Sequence, residues 1–310
     1  MTQTSVTIRR PWWQRPATQE SLIFYLCLTP WIIGFVAFVA GPMLSSIYIS
    51  LTDWDFMSPP RFIGLRNFTK LLTDDKVFLK SLWVTTYYTF GSVPLGLIVG
   101  LLIALLMNVK LPGITVFRTI YYLPAVVSGV AVALLWQWVF NPQMGVINGM
   151  LWLLGIRGPG WIYSEQWVIP SFILMSLWGV GGSMIIYLAG LQSVPTELYE
   201  AAAIDGAGKV RQFFAITLPM ISPVLFFNVI MGIIGSFQVF TSAFVMTQGG
   251  PNNASLFLVL YLYRHAFSYF DMGYASTIAW ILFAIIMLFT LLVFRSSSLW
   301  VYYEGEVKKD

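Results

Sequence analysis

The polar residues of this chain that could do chemistry are mostly neutral, and one group of them shares a helical face. On a wheel at about 100° per residue with Asn228 at zero, Gly232, Gly235, Val239 and Ser242 fall within about 40°. Ser236 and Gln238 lie at about 80° on either side of it. The opposite arc holds Val229, Ile230, Ile233, Ile234, Phe237 and Phe240, with Thr241 as its only polar member. Amides and hydroxyls on one face suit a path for a hydroxyl-rich solute. Close packing against a partner helix selects the same small residues, so both readings stand. Trp178 and Tyr187, upstream, offer aromatic surfaces on which a sugar ring could stack.

Other chemistry finds little support. Gly208-Lys209 ends like a phosphate-binding loop, but that loop needs glycine at 203 and serine or threonine at 210. Ala203 and Val210 stand there instead. His265 and Cys27 are the only histidine and cysteine, and no metal-ligand spacing occurs. The expectation is a chain with no catalytic residue, no metal and no ATPase site of its own.

These residues sit in an unusually apolar chain. Of 310 residues, 58% are hydrophobic and 10% charged, against about 25% charged in a soluble domain. Such a chain cannot cover a water-facing surface. The net charge of +4 comes from scattered Lys and Arg, which form no patch for nucleic acid.

Charge-free stretches lie between Glu20 and Asp53, Lys80 and Lys110, Arg118 and Arg157, Glu165 and Glu197, Arg211 and Arg264, and Asp271 and Arg295. Each can hold the roughly 20 apolar residues that cross a bilayer. Asn141-Pro142 divides the third stretch, and Gly249-Gly250-Pro251-Asn252-Asn253 divides the fifth. The remainders, Val146 to Ile156 and Leu256 to Tyr263, are too short to cross and are expected along the interface. Six spans result, at 22–49, 82–107, 119–140, 168–190, 221–246 and 273–294. Pro30, Gly34 and Gly41-Pro42 predict a kinked or broken first span. The expected organisation is an N-terminal tail at 1–21, a permeation domain at 22–295 and a C-terminal tail at 296–310.

With both tails inside, ten Lys and Arg lie on the inner side and seven outside, which favours cytoplasmic termini. No ionisable side chain sits in the middle of a span, where ion-driven carriers often hold one. A free-standing secondary carrier for small polar solutes remains the alternative reading, since backbone carbonyls can also bind sodium.

The loop between the fourth and fifth spans is the most specific stretch. Pro195 suits a first helical turn, and Glu197 and Glu200 suit the early turns, where the helix dipole favours negative charge. Ala201 to Ala203 are strong helix formers and Gly206 is a natural stop. A helix of two to three turns is expected, with Leu198, Tyr199, Ala202 and Ile204 available for packing. Glu200-Ala201-Ala202, Gly206, Ile216 and Leu218-Pro219 then match, at every fixed position and both spacings, the EAA loop that this segment resembles. That loop marks binding-protein-dependent ABC importer permeases.

The resemblance extends over roughly residues 20–300 and is nearest to the sugar-permease group of maltose and multiple-sugar systems. Gly64-Leu65-Arg66-Asn67-Phe68, Phe117-Arg118, Leu123-Pro124-Ala125, Trp136 to Pro142 and Gly249-Gly250-Pro251 carry it further. The long periplasmic insertion of the larger maltose permease subunit is missing. The resemblance implies an all-α integral membrane protein of six transmembrane helices with a short cytoplasmic coupling helix, similar to type I ABC importers. It implies a bacterial inner-membrane location, a second permease subunit, two ATPase subunits and an extracytoplasmic sugar-binding protein. ATP and Mg would bind the ATPase, with no cofactor on this chain. Tyr199, Glu200, Ala201, Ala202, Asp205 and Gly206 would couple to the ATPase. Trp178, Asn228, Gly232, Ser236 and Gln238 would lie along the path of a neutral sugar.

Overall fold

The computed structural model describes residues 16–302. Most of the tail expected at 1–21 and part of that at 296–310 lie outside the described residues. Helices dominate. α1 (Pro16–Phe35) continues through a π-helical turn (Val36–Ala40) into α2 (Gly41–Ser50). Two short strands, β1 (Thr52–Asp53) and β2 (Arg61–Phe62), pair antiparallel with Thr52 opposite Phe62. α3 (Arg66–Thr73), α4 (Lys76–Met107), α5 (Ile114–Val126), α6 (Gly129–Val139) and α7 (Val146–Leu153) follow. Then come α8 (Val168–Trp178), α9 (Gly181–Ser193), α10 (Thr196–Ile204), α11 (Lys209–Gln212) and α12 (Leu218–Met220). The chain ends through α13 (Ser222–Phe237), α14 (Thr241–Met246), α15 (Leu258–Tyr263) and α16 (Met272–Trp300).

Four helical stretches are long and apolar enough to cross a membrane: Gln19–Ser50, Lys76–Met107, Ser222–Met246 and Met272–Trp300. Two further crossings are bent pairs, α5 with α6 at 97° and α8 with α9 at 49°. The contacts at the two ends of the α5–α6 pair fit a crossing. Arg118 near the start of α5 donates to the Met107 carbonyl at the end of α4, while Phe140 after α6 packs on Trp161 ahead of α8. Counted as one crossing each, the two pairs bring the total to six, the number that the charge-free stretches predict.

The first helix is irregular, as expected, but it is not broken. It runs unbroken to Ser50 because the π turn absorbs Pro42 and Gly41, whose added Cβ would lie 2.8 Å from the Val36 carbonyl oxygen. Leu256 to Tyr263 is also a correction. It does not lie along the interface: Leu256, Phe257, Leu258 and Leu260 are fully buried. The Leu258 N–H donates to Thr85 Oγ1 at 2.9 Å, so α15 is held inside the protein against α4.

α4 is the hub, packing on α8, α9 and α13. Its buried stripe is mostly small or hydroxylated: Ser81, Thr85, Thr89, Ser92, Gly100 and Ala104 recur every three to eight residues. In lipid, packing of small residues replaces the hydrophobic drive between helices. α2 packs on α16 at the far side, where the Asn67 amide donates to the Ser50 and Thr52 carbonyls (3.1 and 2.9 Å). The Ser50 carbonyl is an orphan at the end of α2, and it also accepts from the Thr277 hydroxyl of α16 (3.1 Å).

Candidate functional site

A cavity of about 460 Å³ opens between α4, α8, α9 and α13, near the middle of the spans. α4 contributes Tyr88, Ser92 and Gly96; α8 and α9 contribute Ser176, Ser183 and Tyr187; α13 contributes Asn228, Gly232, Gly235 and Ser236. No Asp, Glu, Lys, Arg or His lines it among the described residues. The break between α8 and α9 also reaches the cavity, at Gly179 and Val180. Interrupted helices are tolerated at membrane depth where they line a cavity.

Most lining groups spend their donors on their own helix. Ser176 donates to Ile173 O (2.7 Å), Ser183 to Val180 O (2.9 Å), Ser236 to Ile233 O (3.0 Å) and Asn228 Nδ2 to Val224 O (2.8 Å). Their oxygens remain as acceptors. Tyr187 differs: it is fully buried and its hydroxyl has no hydrogen-bond partner. An unmade bond of this kind costs about 1–3 kcal/mol, which a hydroxylated solute in the cavity would offset.

Three of the five residues expected along a solute path, Asn228, Gly232 and Ser236, meet in this cavity. Gln238 lines a separate, mostly apolar cavity with Leu282, Met287 and Thr290. α13 ends at Phe237, so the wheel's phase does not carry through to Gln238. Trp178 adjoins Gly179 but does not line the cavity; its ring meets Trp136 edge-on at 6.1 Å. Tyr88, Ser92, Ser176 and Ser183 went unnoticed in the sequence, because no single helical face contains them. The two glycines Gly96 and Gly100 on α4 divide the labour. Gly100 packs, with an added Cβ 3.1 Å from the Tyr187 ring, whereas Gly96 faces open space.

At one end of the bundle, α10 stands between α9 and α13. It is nine residues long, starts after Pro195 and carries Glu197 in its first turn. Gly206 adopts φ +79°, which only glycine takes without strain. The Ala207 N–H then donates to Ala202 O (2.8 Å) and the Gly206 N–H to Ala203 O (3.1 Å), a Schellman closure. Tyr199 and Ala202 turn partly inward, whereas Glu200, Ala201, Asp205 and Gly206 are exposed. Ile204 does not pack on the bundle, being 87% exposed, and Leu198 is partly exposed at 41%. Val210 and Phe214 extend the same exposed apolar surface.

The opposite end holds a cluster around Asp75, which caps α4 by accepting the Phe78 N–H (2.8 Å). Its other oxygen accepts the hydroxyls of Tyr261 and Tyr274. Burial pushes the Asp75 carboxyl up, but the two phenols and the Phe78 and Val77 N–H groups outweigh it and hold the pKa below the usual 3.8. Burial, and then the bond to Asp75, raises the Tyr261 phenol. His265 packs edge-on against Tyr261 and faces Asp271 at 4.0 Å. Burial lowers its pKa; Asp271 and Asp75 oppose this, and Lys70 adds to it. These groups join α4, α15 and α16 and do not reach the cavity.

Residues 92–300 match the family described as binding-protein-dependent transport system inner membrane component. The probable ABC transporter permease protein YesP of Bacillus subtilis is 41% identical over 94% of this chain and 96% of its own length. The arabinooligosaccharides transport system permease protein AraP of the same organism is 33% identical, covering 88% of both chains. A chain of a bacterial ABC transporter involved in the import of the acidic polysaccharide alginate superposes with a TM-score of 0.79 at 25% identity, over 91% of this chain and 97% of that one.

Proposed function

The chain belongs to the binding-protein-dependent transport system inner membrane component family, and from that premise we propose how this permease works. It is a multi-pass subunit of an ABC importer of the sugar-permease group. In the proposed assembly it pairs with a second permease subunit and two ATPase subunits, and receives its cargo from an external sugar-binding protein. ATP and Mg bind the ATPase subunits, and this chain binds no cofactor. Residues 1–21 and 296–310 are cytoplasmic tails around the permeation domain at 22–295.

The cargo crosses through the cavity between α4, α9 and α13. The supporting observation is the cavity's chemistry: neutral acceptors, one unpartnered buried phenol and no charge. Tyr187, Ser92, Asn228 and Ser236 would bind sugar hydroxyls in place of water. A charged cargo at this depth would need a compensating cation, because an unpaired charge in low dielectric is very costly. A neutral di- or oligosaccharide therefore fits best. The alginate transporter shows that a relative of similar fold handles an acidic polysaccharide. Were the cargo of this chain acidic, its own partner permease would have to supply the cation.

Coupling runs through α10. Tyr199 and Ala202 face the bundle, while Glu200, Ala201 and Asp205 face outward beside Leu198 and Ile204. That outward face would dock on a cleft of the cytoplasmic ATPase. The test is purification of the complex from native membranes, identification of the associated chains, and uptake by the reconstituted complex. Preference for neutral oligosaccharides over sugar phosphates is expected. Efficient transport of an anion, undiminished after removing cations from the partner permease, would overturn the neutral-cargo reading.

A further inference from the structure

The segment between α6 and α8 has its polarity turned inside out. Asn148 is the only polar side chain of α7, and it points into the protein. Its Nδ2 donates to Pro142 O (3.0 Å) and Pro159 O (3.2 Å), and its Oδ1 accepts from Trp161 Nε1 (2.6 Å). Gly158 leaves room for this amide; an added Cβ there would sit 1.9 Å from Asn148 Oδ1. Ile147 and Leu151 pack on the core beside it. The outward face is wholly apolar, with Trp152 75% and Leu153 78% exposed, continuing through Met150 and Leu154.

A helix with its amide inside and its large apolar side chains outside is not built for water. We propose that α7 lies in the headgroup–acyl boundary of the bilayer, at the end of the bundle opposite α10, with Trp152, Leu153 and Leu154 among the acyl chains.

Three observations select lipid over a protein partner. The apolar surface is continuous with exposed Leu134, Leu135 and Trp138 on α6, which belong to the lipid-crossing part of the chain. Exposed Arg157 follows immediately, and a cation beside an aromatic is the usual pairing at a headgroup layer. The only hydrogen-bonding group that its side chains offer is the Trp152 indole N–H, a donor well suited to the headgroup layer. Asn148 holds this foot rigidly to the chain on both sides. The helix thus fixes the depth at which α6 leaves and α8 re-enters the membrane. This inference requires only that the chain spans a bilayer, and it is independent of cargo and of coupling.

The test uses the full chain in nanodiscs of phosphatidylethanolamine and phosphatidylglycerol. Cys27→Ser is combined in turn with Leu153→Cys and Leu154→Cys, each carrying a nitroxide. Both positions are exposed, so the label displaces no packed side chain. Relaxation by oxygen several-fold greater than by a water-soluble nickel chelate is expected at both sites. Dominant relaxation by the nickel chelate would place the helix in water. Protection from both reagents would place it against protein. Either result overturns the proposal.

Discussion

The Tyr199 hydroxyl lies 2.9 Å from the Thr217 hydroxyl, tying the short helix α10 to the segment that leads into α13. A second tie lies nearby, from Gln212 Nε2 to the Ala207 carbonyl (2.9 Å). α10 is therefore attached to the bundle on one side and exposed on the other. Under the proposed coupling, force on its outward face would reach the cavity-lining α13 through these two bonds.

Tyr199→Phe keeps the ring and removes this tie. One hydrogen bond contributes about 1 kcal/mol, so insertion and yield should stay near wild type. Substrate-stimulated ATP hydrolysis in the reconstituted complex should fall several-fold. Hydrolysis at the wild-type rate would show that the Tyr199–Thr217 bond carries no coupling.

Glu200→Ala alters only the exposed face of α10 and should weaken association with the ATPase. Gly206→Ala should act differently, because a side chain at φ +79° costs about 1–2 kcal/mol and loosens the Schellman closure. Retention of ATPase subunits on the affinity-tagged permease measures both. Full retention in the two variants would remove α10 from the docking surface.

Tyr187→Phe should lower sugar uptake while raising stability slightly, since it removes a buried hydroxyl that has no partner within the protein. Asn228→Ala should also lower uptake. Thermal unfolding in detergent, measured beside the uptake assay, separates the effects. A Tyr187→Phe variant less stable than wild type would mean that the hydroxyl is structural.

Asp75 predicts an acid limit. Its pKa is depressed in the folded protein, so its contribution to stability is complete above the unfolded value of 3.8. That contribution is lost as pH falls below 3.8 through the folded value. Asp75→Asn should flatten this part of the profile and, at neutral pH, weaken the link between α4, α15 and α16. Melting temperatures of both proteins across acid and neutral pH decide it; parallel curves would exclude Asp75 as the source.

Orientation is open to a direct check. In a Cys27→Ser background, Lys209→Cys should react with an impermeant maleimide only from the cytoplasmic side, and Lys76→Cys only from outside. Reversed labelling would overturn both the cytoplasmic placement of the termini and the docking role of α10.

The spans were legible because lipid excludes charge, and a charge-free run is visible residue by residue. α10 was legible for a similar reason: Pro195, Gly206 and the alanines between them act locally. The cavity was only half legible. A wheel through α13 finds Asn228, Gly232 and Ser236, which share one helix, but runs past Phe237 to Gln238 after the helix has ended. Tyr187 stands out in the sequence as an aromatic, but Ser92, Ser176 and Ser183 join it only through the packing of α4, α8 and α9, which no single periodicity encodes. α15 misled for another reason. Its apolar run reads the same whether it faces lipid or core, and Thr85, far away in sequence, decides between them.

The bend between α8 and α9 rests on the other bent pair without any side chain in between. At Gly181 an added Cβ would lie 2.1 Å from the Tyr121 carbonyl oxygen and 2.9 Å from the Tyr122 Cα, so backbone meets backbone. Side chains can change rotamer and absorb a small displacement, but two touching main chains cannot. At this contact α9 and α5 therefore have no side chain between them to take up a displacement. α10 follows α9 after only Val194 and Pro195, so under the proposed coupling a turn of α10 would reach α5 along one helix and through this backbone contact.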